Sequence, residues 1–290
     1  MKVLPIISSL FVTAAAQAQI HLELKFPRLQ YIAHEPVVAT VKITNLAGRP
    51  IDLRDDKGQQ WFGFEVNARE DHPVMPLYTE ALEPALHVET GQTVTRKINL
   101  TPLFPLHDLG AYHVRANVYF ADNNQFFSSP TKVFQVSDAR PIWQKTVGIP
   151  EEMPMGGEIR TYSLLSYRFA DHTSLYLRVE DKNRGVVCAT YSLGRILSYE
   201  EPQAEIDHAN QLHVLRCATP RKWAYSHIGL NGEVLAQSIF METRTRPRLR
   251  FTPSGAVAVK GGMLEPRFVE TIQSPIPKVF ANPNSPPVED

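Results

Sequence analysis

The sequence predicts an all-β protein, and three observations carry that prediction. Polar and apolar residues alternate with a period of two along Asp108–Phe120: Tyr112, Val114, Ala116, Val118 and Phe120 share one face, His113, Arg115, Asn117 and Tyr119 the other. Proline is frequent, at 23 of 290 residues, and the alternating segments are short and end at Pro, Gly or Asn-Gly turn chemistry. Helix-type apolar periodicity is scarce throughout.

The N-terminus reads as an export leader. Lys2 gives a positive n-region, Val3–Ala16 a short apolar run, and Ala16-Gln17-Ala18 a small-x-small cleavage site. Cleavage after Ala18 makes Gln19 the first mature residue, with no cysteine there to carry a lipid. The run is too short to span a bilayer and contains Pro5; no later run is longer, so no transmembrane span is expected. The expected location is secreted or periplasmic. Lys plus Arg balances Asp plus Glu at 30 each, so no net field favours nucleic acid.

In chain order, Ile20–Phe26 alternates as a first strand, and Glu35-Pro36-Val37 opens a second with Val37, Ala39, Val41 and Ile43 inward. Asn45–Pro50, containing Gly48, forms the turn after it. Trp61–Val66 is a third strand. Its phase is awkward, because Phe62, Phe64 and Val66 make a cleaner apolar set than Trp61, Gly63 and Glu65. Residues 67–91 are predicted to be loop with at most a short edge strand, Thr93–Leu100 a further strand, and Lys132–Val136 the strand after Asp108–Phe120.

The Asp108-x-Gly110-x-Tyr112-x-Val114 lead-in resembles the tyrosine corner of immunoglobulin-like sandwiches, in which a Tyr hydroxyl bonds back to the upstream backbone. The Glu-Pro-Val opening and the Asn-x-x-Gly-x-Pro turn are similar to the second strand and turn of many bacterial domains of that family. The resemblance implies an immunoglobulin-like β-sandwich over residues 19–138. Val114 stands where antibody domains carry a cysteine, so the inter-sheet bridge of those domains is absent.

Residues 139–157 read as a linker, broken by Pro141, Pro150, Pro154 and Gly156-Gly157, with Trp143 expected to dock on one of the flanking domains. Over 158–270 alternation returns at Ser174–Glu180, Gln211–Cys217, Trp223–Ile228, Glu233–Phe240, Arg248–Phe251 and Ala256–Lys260. Ile206–Val214 and Phe251–Val259 repeat one pattern: strand, polar turn ending in Asn or Gly, strand. Ser174, Gln211 and Ala256 begin comparable strands at intervals of 37 and 45 residues. Asp207–Leu235 looks like the blades of β-propellers, which implies a β-meander or partial propeller-like domain, too short to close. Residues 271–290, with five prolines, read as a disordered tail.

Catalytic signatures such as Gly-x-Ser-x-Gly, His-Glu-x-x-His, Cys-x-x-Cys and the phosphate-cradling glycine loop are missing, so neither a cofactor nor a resident metal is expected. Asp207, His208 and His213 offer metal-ligand chemistry, but residues five apart on a strand diverge; a solvated His208 and a packed His213 are the expectation. Glu200, Glu201, Glu205 and Asp207 could act as paired carboxylates if they faced one another across a cleft. Arg244, Arg246, Arg248 and Arg250 would share a face if extended, a row suited to an anionic glycan. Cys188 and Cys217 either pair in an oxidising compartment or lie as separate buried thiols. These readings together imply an exported, non-catalytic binding or assembly protein whose partner is a glycan or another envelope protein. The alternative is a secreted carbohydrate-active hydrolase or lyase using the carboxylates of the second domain.

Overall fold

The computed structural model describes residues 19–69, 72–78, 82–152 and 155–266; the stretches read from sequence as an export leader and a disordered tail lie outside the described residues. Eleven strands form in the first half: β1 (Ile20–Lys25), β2 (Gln30–Ile32), β3 (Val38–Asn45), β4 (Ile51–Leu53), β5 (Phe62–Ala68), β6 (His72–Pro73), β7 (Leu86–Val88), β8 (Thr93–Asn99), β9 (Gly110–Phe120), β10 (Gln125–Ser128) and β11 (Lys132–Ser137). Nine of them make a three-stranded sheet, β1-β3-β8, and a six-stranded sheet, β2-β11-β9-β5-β6, with β10 also paired to β9, while β4 and β7 pair separately. All pairings in these two sheets are antiparallel except that of β2 with β11, which is parallel.

Alternation makes this a sandwich. Ile20, Leu22 and Leu24 of β1 and Ala39, Val41 and Ile43 of β3 meet Tyr112, Val114, Ala116 and Val118 of β9 in one core. Removing each large apolar side chain from water stabilises the fold by about 1.5–3 kcal/mol. The corner expected at Tyr112 is present: its hydroxyl donates to the Asp108 carbonyl at 3.0 Å, and its ring stacks on Phe134. Trp61 precedes β5, which resolves the phase conflict there. It and Phe62 are both buried, and the indole N–H donates to the Glu83 carbonyl at 3.1 Å.

The second half contains β12 (Arg140–Gly148), β13 (Ile159–Arg168), β14 (Thr173–Asp181), β15 (Val186–Ile196), β16 (Gln203–Ile206), β17 (Leu212–Thr219), β18 (Lys222–Ile228), β19 (Val234–Met241), β20 (Arg248–Phe251), β21 (Val257–Lys260) and β22 (Met263–Leu264). These form two antiparallel meanders, β12-β13-β14-β15 and β16-β17-β18-β19, the second extended by β22. Tyr162, Leu164, Leu175, Leu177 and Val179 of the first meander share a core with Leu212, Val214 and Ile228 of the second. The hairpin β20-β21 packs Leu249 and Val257 onto the opposite face, against Leu215, Cys217 and Trp223. The architecture is all-β, built from several open sheets.

One expectation changes here, and of the two readings of the cysteines the separate thiols are the one observed. Residues 140–148, read as linker, form the edge strand β12 in register with β13; a bulge between Pro141 and Trp143 accommodates the proline, and Trp143 packs on the core of the meanders. Cys188 and Cys217 are free thiols. Cys188 lies beside the core between the meanders, whereas Cys217 faces the β20-β21 hairpin, so the second sheet stands between them.

The internal repeat corresponds to two hairpins of one design. Ile206 pairs with Leu212 and Phe251 with Val257, each pair closing a five-residue connection. In both, the fourth connecting residue takes a positive φ, 59° at Asn210 and 79° at Gly255. The hairpins also touch, His208 N–H donating to the Gly255 carbonyl.

Candidate functional site

Two places concentrate polar chemistry: the seam between the halves, and the β16–β18 end of the second meander. At the seam, Ile32 and Ala139 pack on Leu165 and Tyr176. Around that apolar patch, Arg28 donates to Glu35 at 2.7 Å and to the Tyr176 hydroxyl at 3.3 Å, Gln30 donates to the Tyr167 hydroxyl, and Arg178 donates to the Ala33 carbonyl at 2.8 Å. Burial pushes the Glu35 carboxyl above its ordinary value, against the pull of Arg28 and the Ile32 N–H. Burial, with Glu35 nearby, pushes the Tyr176 phenol up to about 12, so it stays a neutral hydrogen-bonding group.

Beside these contacts a cleft of about 460 Å³ opens, lined from the first half by Arg28, Leu29 and Gln30 and from the second by Phe169, His172 and Tyr176. A neighbouring cleft of about 560 Å³ shares Phe169 and His172 and runs on past Arg195 to Pro220. The β13–β14 turn builds the common wall: Phe169 stacks on His172 at 4.8 Å and meets Tyr167 edge-on at 4.8 Å. Sequence reading passed over Tyr167, Phe169 and His172. Three rings within six residues were a signal, but their meeting with Arg28 depends on how the halves dock.

The second place gathers Asp207, His213, Tyr225 and His227. Asp207 directly follows β16, and its carboxylate is divided. Oδ1 accepts from the N–H groups of Ala209 and Gln211, while Oδ2 lies 3.1 Å from His213 Nε2. His213 and His227 are directly paired across β17 and β18, which places their rings 4.2 Å apart and nearly parallel. The Tyr225 hydroxyl contacts His213 Nδ1 at 2.7 Å, and Gln211 Oε1 accepts from His227 Nε2 at 2.7 Å. Burial, with the neighbouring His213, lowers the proton affinity of His227. Although burial opposes it, the hydrogen bonds from His213 and the turn hold the Asp207 carboxyl below its ordinary value. Of the histidines weighed from sequence, His213 enters this cluster and His208 stays exposed on the turn. His227 was missed, because strand register and not sequence spacing brings it in.

The four arginines lie in two settings. Arg248 and Arg250 lie on β20 and are exposed, Arg244 is exposed in the bend before it, and Arg246 is also exposed but bound by neighbouring side chains. Arg246 is held by Glu200 at 3.0 Å, Glu242 at 3.4 Å and the face of Trp223. The 243–245 bend and Pro247 precede β20, so of the four only Arg248 and Arg250 lie on an extended strand. The acidic stretch is dispersed. Glu200 is paired to Arg246, Glu201 is exposed in the connection, Glu205 sits on β16 and Asp207 is bound to its own turn and to His213. The facing carboxylates that the hydrolase alternative requires are not among these contacts.

The fold and these clusters define an all-β protein of packed open sheets with a polar seam. No protein-family model matches the chain, and no curated protein matches it. Among solved structures it is similar to the sporulation control protein Spo0M from Bacillus subtilis, with TM-score 0.32 and 9% identity over 61% of this chain and 91% of that one. A likeness that slight carries no argument about function. No described helix is long and apolar enough to cross a membrane.

Proposed function

We propose that the protein is an exported, non-catalytic binding protein of the cell envelope or extracellular space: an immunoglobulin-like module fixed onto a pair of β-meanders, with a glycan as its ligand. The immunoglobulin-like reading is supported by the Tyr112–Asp108 corner and by the parallel pairing of β2 with β11 at the edge of the larger sheet. Export rests on the leader-like first 18 residues.

One observation carries the binding reading: the cleft at the seam. There the aromatic wall of Phe169 and His172 faces groups from the other half, and Gln30, Ser174 and Ser192 add hydrogen-bonding capacity. Aromatic faces with a few placed polar groups suit a sugar ring, which has apolar C–H faces and hydroxyl edges.

The test is a glycan array on the mature protein, followed by titration of any hit with wild type and Phe169→Ala. Binding that is lost in Phe169→Ala, with the circular-dichroism spectrum unchanged, is expected. Equal binding by the variant, or no glycan retained by wild type, overturns the assignment. Mass spectrometry of the native exported chain checks the leader, with Gln19 as the expected first residue.

A further inference from the structure

We infer that Asp207, His213 and His227 form a binding site for a divalent transition metal of the zinc class. One donor atom from each residue lies within 4.8 Å of the others. Two imidazoles and a carboxylate are the donor set used where zinc keeps an additional position for water or an outside ligand. Tetrahedral zinc with bonds near 2.0–2.2 Å separates its ligand atoms by about 3.3 Å. The 3.1 Å between Asp207 Oδ2 and His213 Nε2 matches that edge, and ligation by His227 requires its ring to turn out of the stack on His213.

The backbone prepares the set. His213 and His227 are direct cross-strand partners in the interior of the β17–β18 ladder, so their relative placement is fixed by main-chain hydrogen bonds. Asp207 is fixed by its own turn: Oδ1 is occupied by the Ala209 and Gln211 N–H groups, and Oδ2 is aimed at His213. The outer contacts also suit ligation. Tyr225 sits on Nδ1 of His213, leaving Nε2 toward the carboxylate, and Gln211 accepts from His227 Nε2, which leaves Nδ1 as that ring's lone-pair atom. Hydrogen bonds of this kind set the tautomer and direction of a ligating histidine.

Metal entry is balanced by a tautomer change. The proton that His213 Nε2 shares with Asp207 leaves that nitrogen, and Nδ1 carries the ring proton instead, now donating to the Tyr225 oxygen. The Nε2 lone pair and the freed Oδ2 lone pair then go to the metal.

The experiment uses the full mature chain, stripped with a chelator, titrated with Zn²⁺ by calorimetry and loaded with Co²⁺ for visible spectroscopy. One metal per chain is expected, with a Co²⁺ spectrum of low coordination number. Substituting the half-buried His227 with Ala should weaken Zn²⁺ binding by at least about tenfold, and Tyr225→Phe by about tenfold through loss of ring orientation. Asp207→Asn can keep the Oδ1 contacts of the turn while removing the charge. It reads the same loss should His227→Ala alter the circular-dichroism spectrum. His208→Ala, outside the cluster, should bind as wild type. No stoichiometric Zn²⁺ in wild type overturns the inference, as does wild-type affinity in both His227→Ala and Asp207→Asn. Glycan binding at the seam is a separate readout, so either reading can fail alone.

Discussion

The Arg178 guanidinium on β14 donates to the Ala33 main-chain carbonyl at 2.8 Å, tying the second half of the chain to the segment after β2. The same residue lies beside His34, whose ring stacks on His107 at 5.4 Å. The halves are therefore joined by a charged donor placed at an otherwise ordinary backbone carbonyl, next to the apolar contact of Ile32 with Tyr176.

Arg178→Ala removes that donor and buries the Ala33 carbonyl with less to bond. A charge-assisted hydrogen bond contributes about 1.5–3 kcal/mol, so urea denaturation should show a loss of that order. Limited proteolysis should cut more readily in the 137–140 connection. An unchanged midpoint and cleavage pattern would show that the apolar patch alone holds the seam.

His34 makes the seam sensitive to acid. Burial, Arg178 and His107 together lower its proton affinity below the usual 6.5, with Glu180 opposing. The unfolded chain therefore takes up the proton at higher pH than the folded one. Stability from this group is present above pH 6.5 and lost as pH falls through that value toward the folded pKa. Denaturation at about pH 7.5 and about pH 5.5 should show a larger loss for wild type than for His34→Gln. Equal losses would remove His34 as the cause.

The four arginines should behave unequally. Arg246 holds Glu200, Glu242 and the Trp223 face while remaining 42% exposed, so Arg246→Ala should cost about 1 kcal/mol. Arg244→Ala, Arg248→Ala and Arg250→Ala should each stay within about 0.5 kcal/mol. Thermal denaturation of the four single variants checks the order, and uniform effects would show that the contacts of Arg246 with Glu200, Glu242 and Trp223 add nothing to stability.

The thiols give a simple count. Cys188 and Cys217 face separate cores, and burial pushes both thiols up from their ordinary pKa. Protein denatured without reductant should titrate two thiols per chain with a thiol reagent, while the folded protein reacts slowly. A count of zero would mean that the two are bridged.

Strands buried on one face were legible in the sequence. β1, β3 and β9 alternate because one side meets the core and the other meets water, and Tyr112 marked its own corner. Strand β13 did not stand out, since Arg160–Leu165 is buried on both faces, with Arg160, Thr161 and Ser163 among the inward residues. Arg160 is tolerated there because Asp181 lies 3.2 Å away and Glu158 also pairs with it. Strand β12 was obscured by Pro141, which an edge strand accepts at a bulge.

By itself the sequence determined the all-β class, the positions of most turns and the repeated hairpin around Asp207 and Thr252, because period-two patterning and turn chemistry are local. Tertiary structure alone decided that His227 stands beside His213, that Phe169 and Arg28 line one cleft, and that Arg246 meets Glu200 and the Trp223 ring. Each of those juxtapositions depends on strand register, on the docking of sheets, or on ion pairing between residues distant in sequence. Such arrangements follow from the summed burial of whole faces, and no short stretch of residues encodes them.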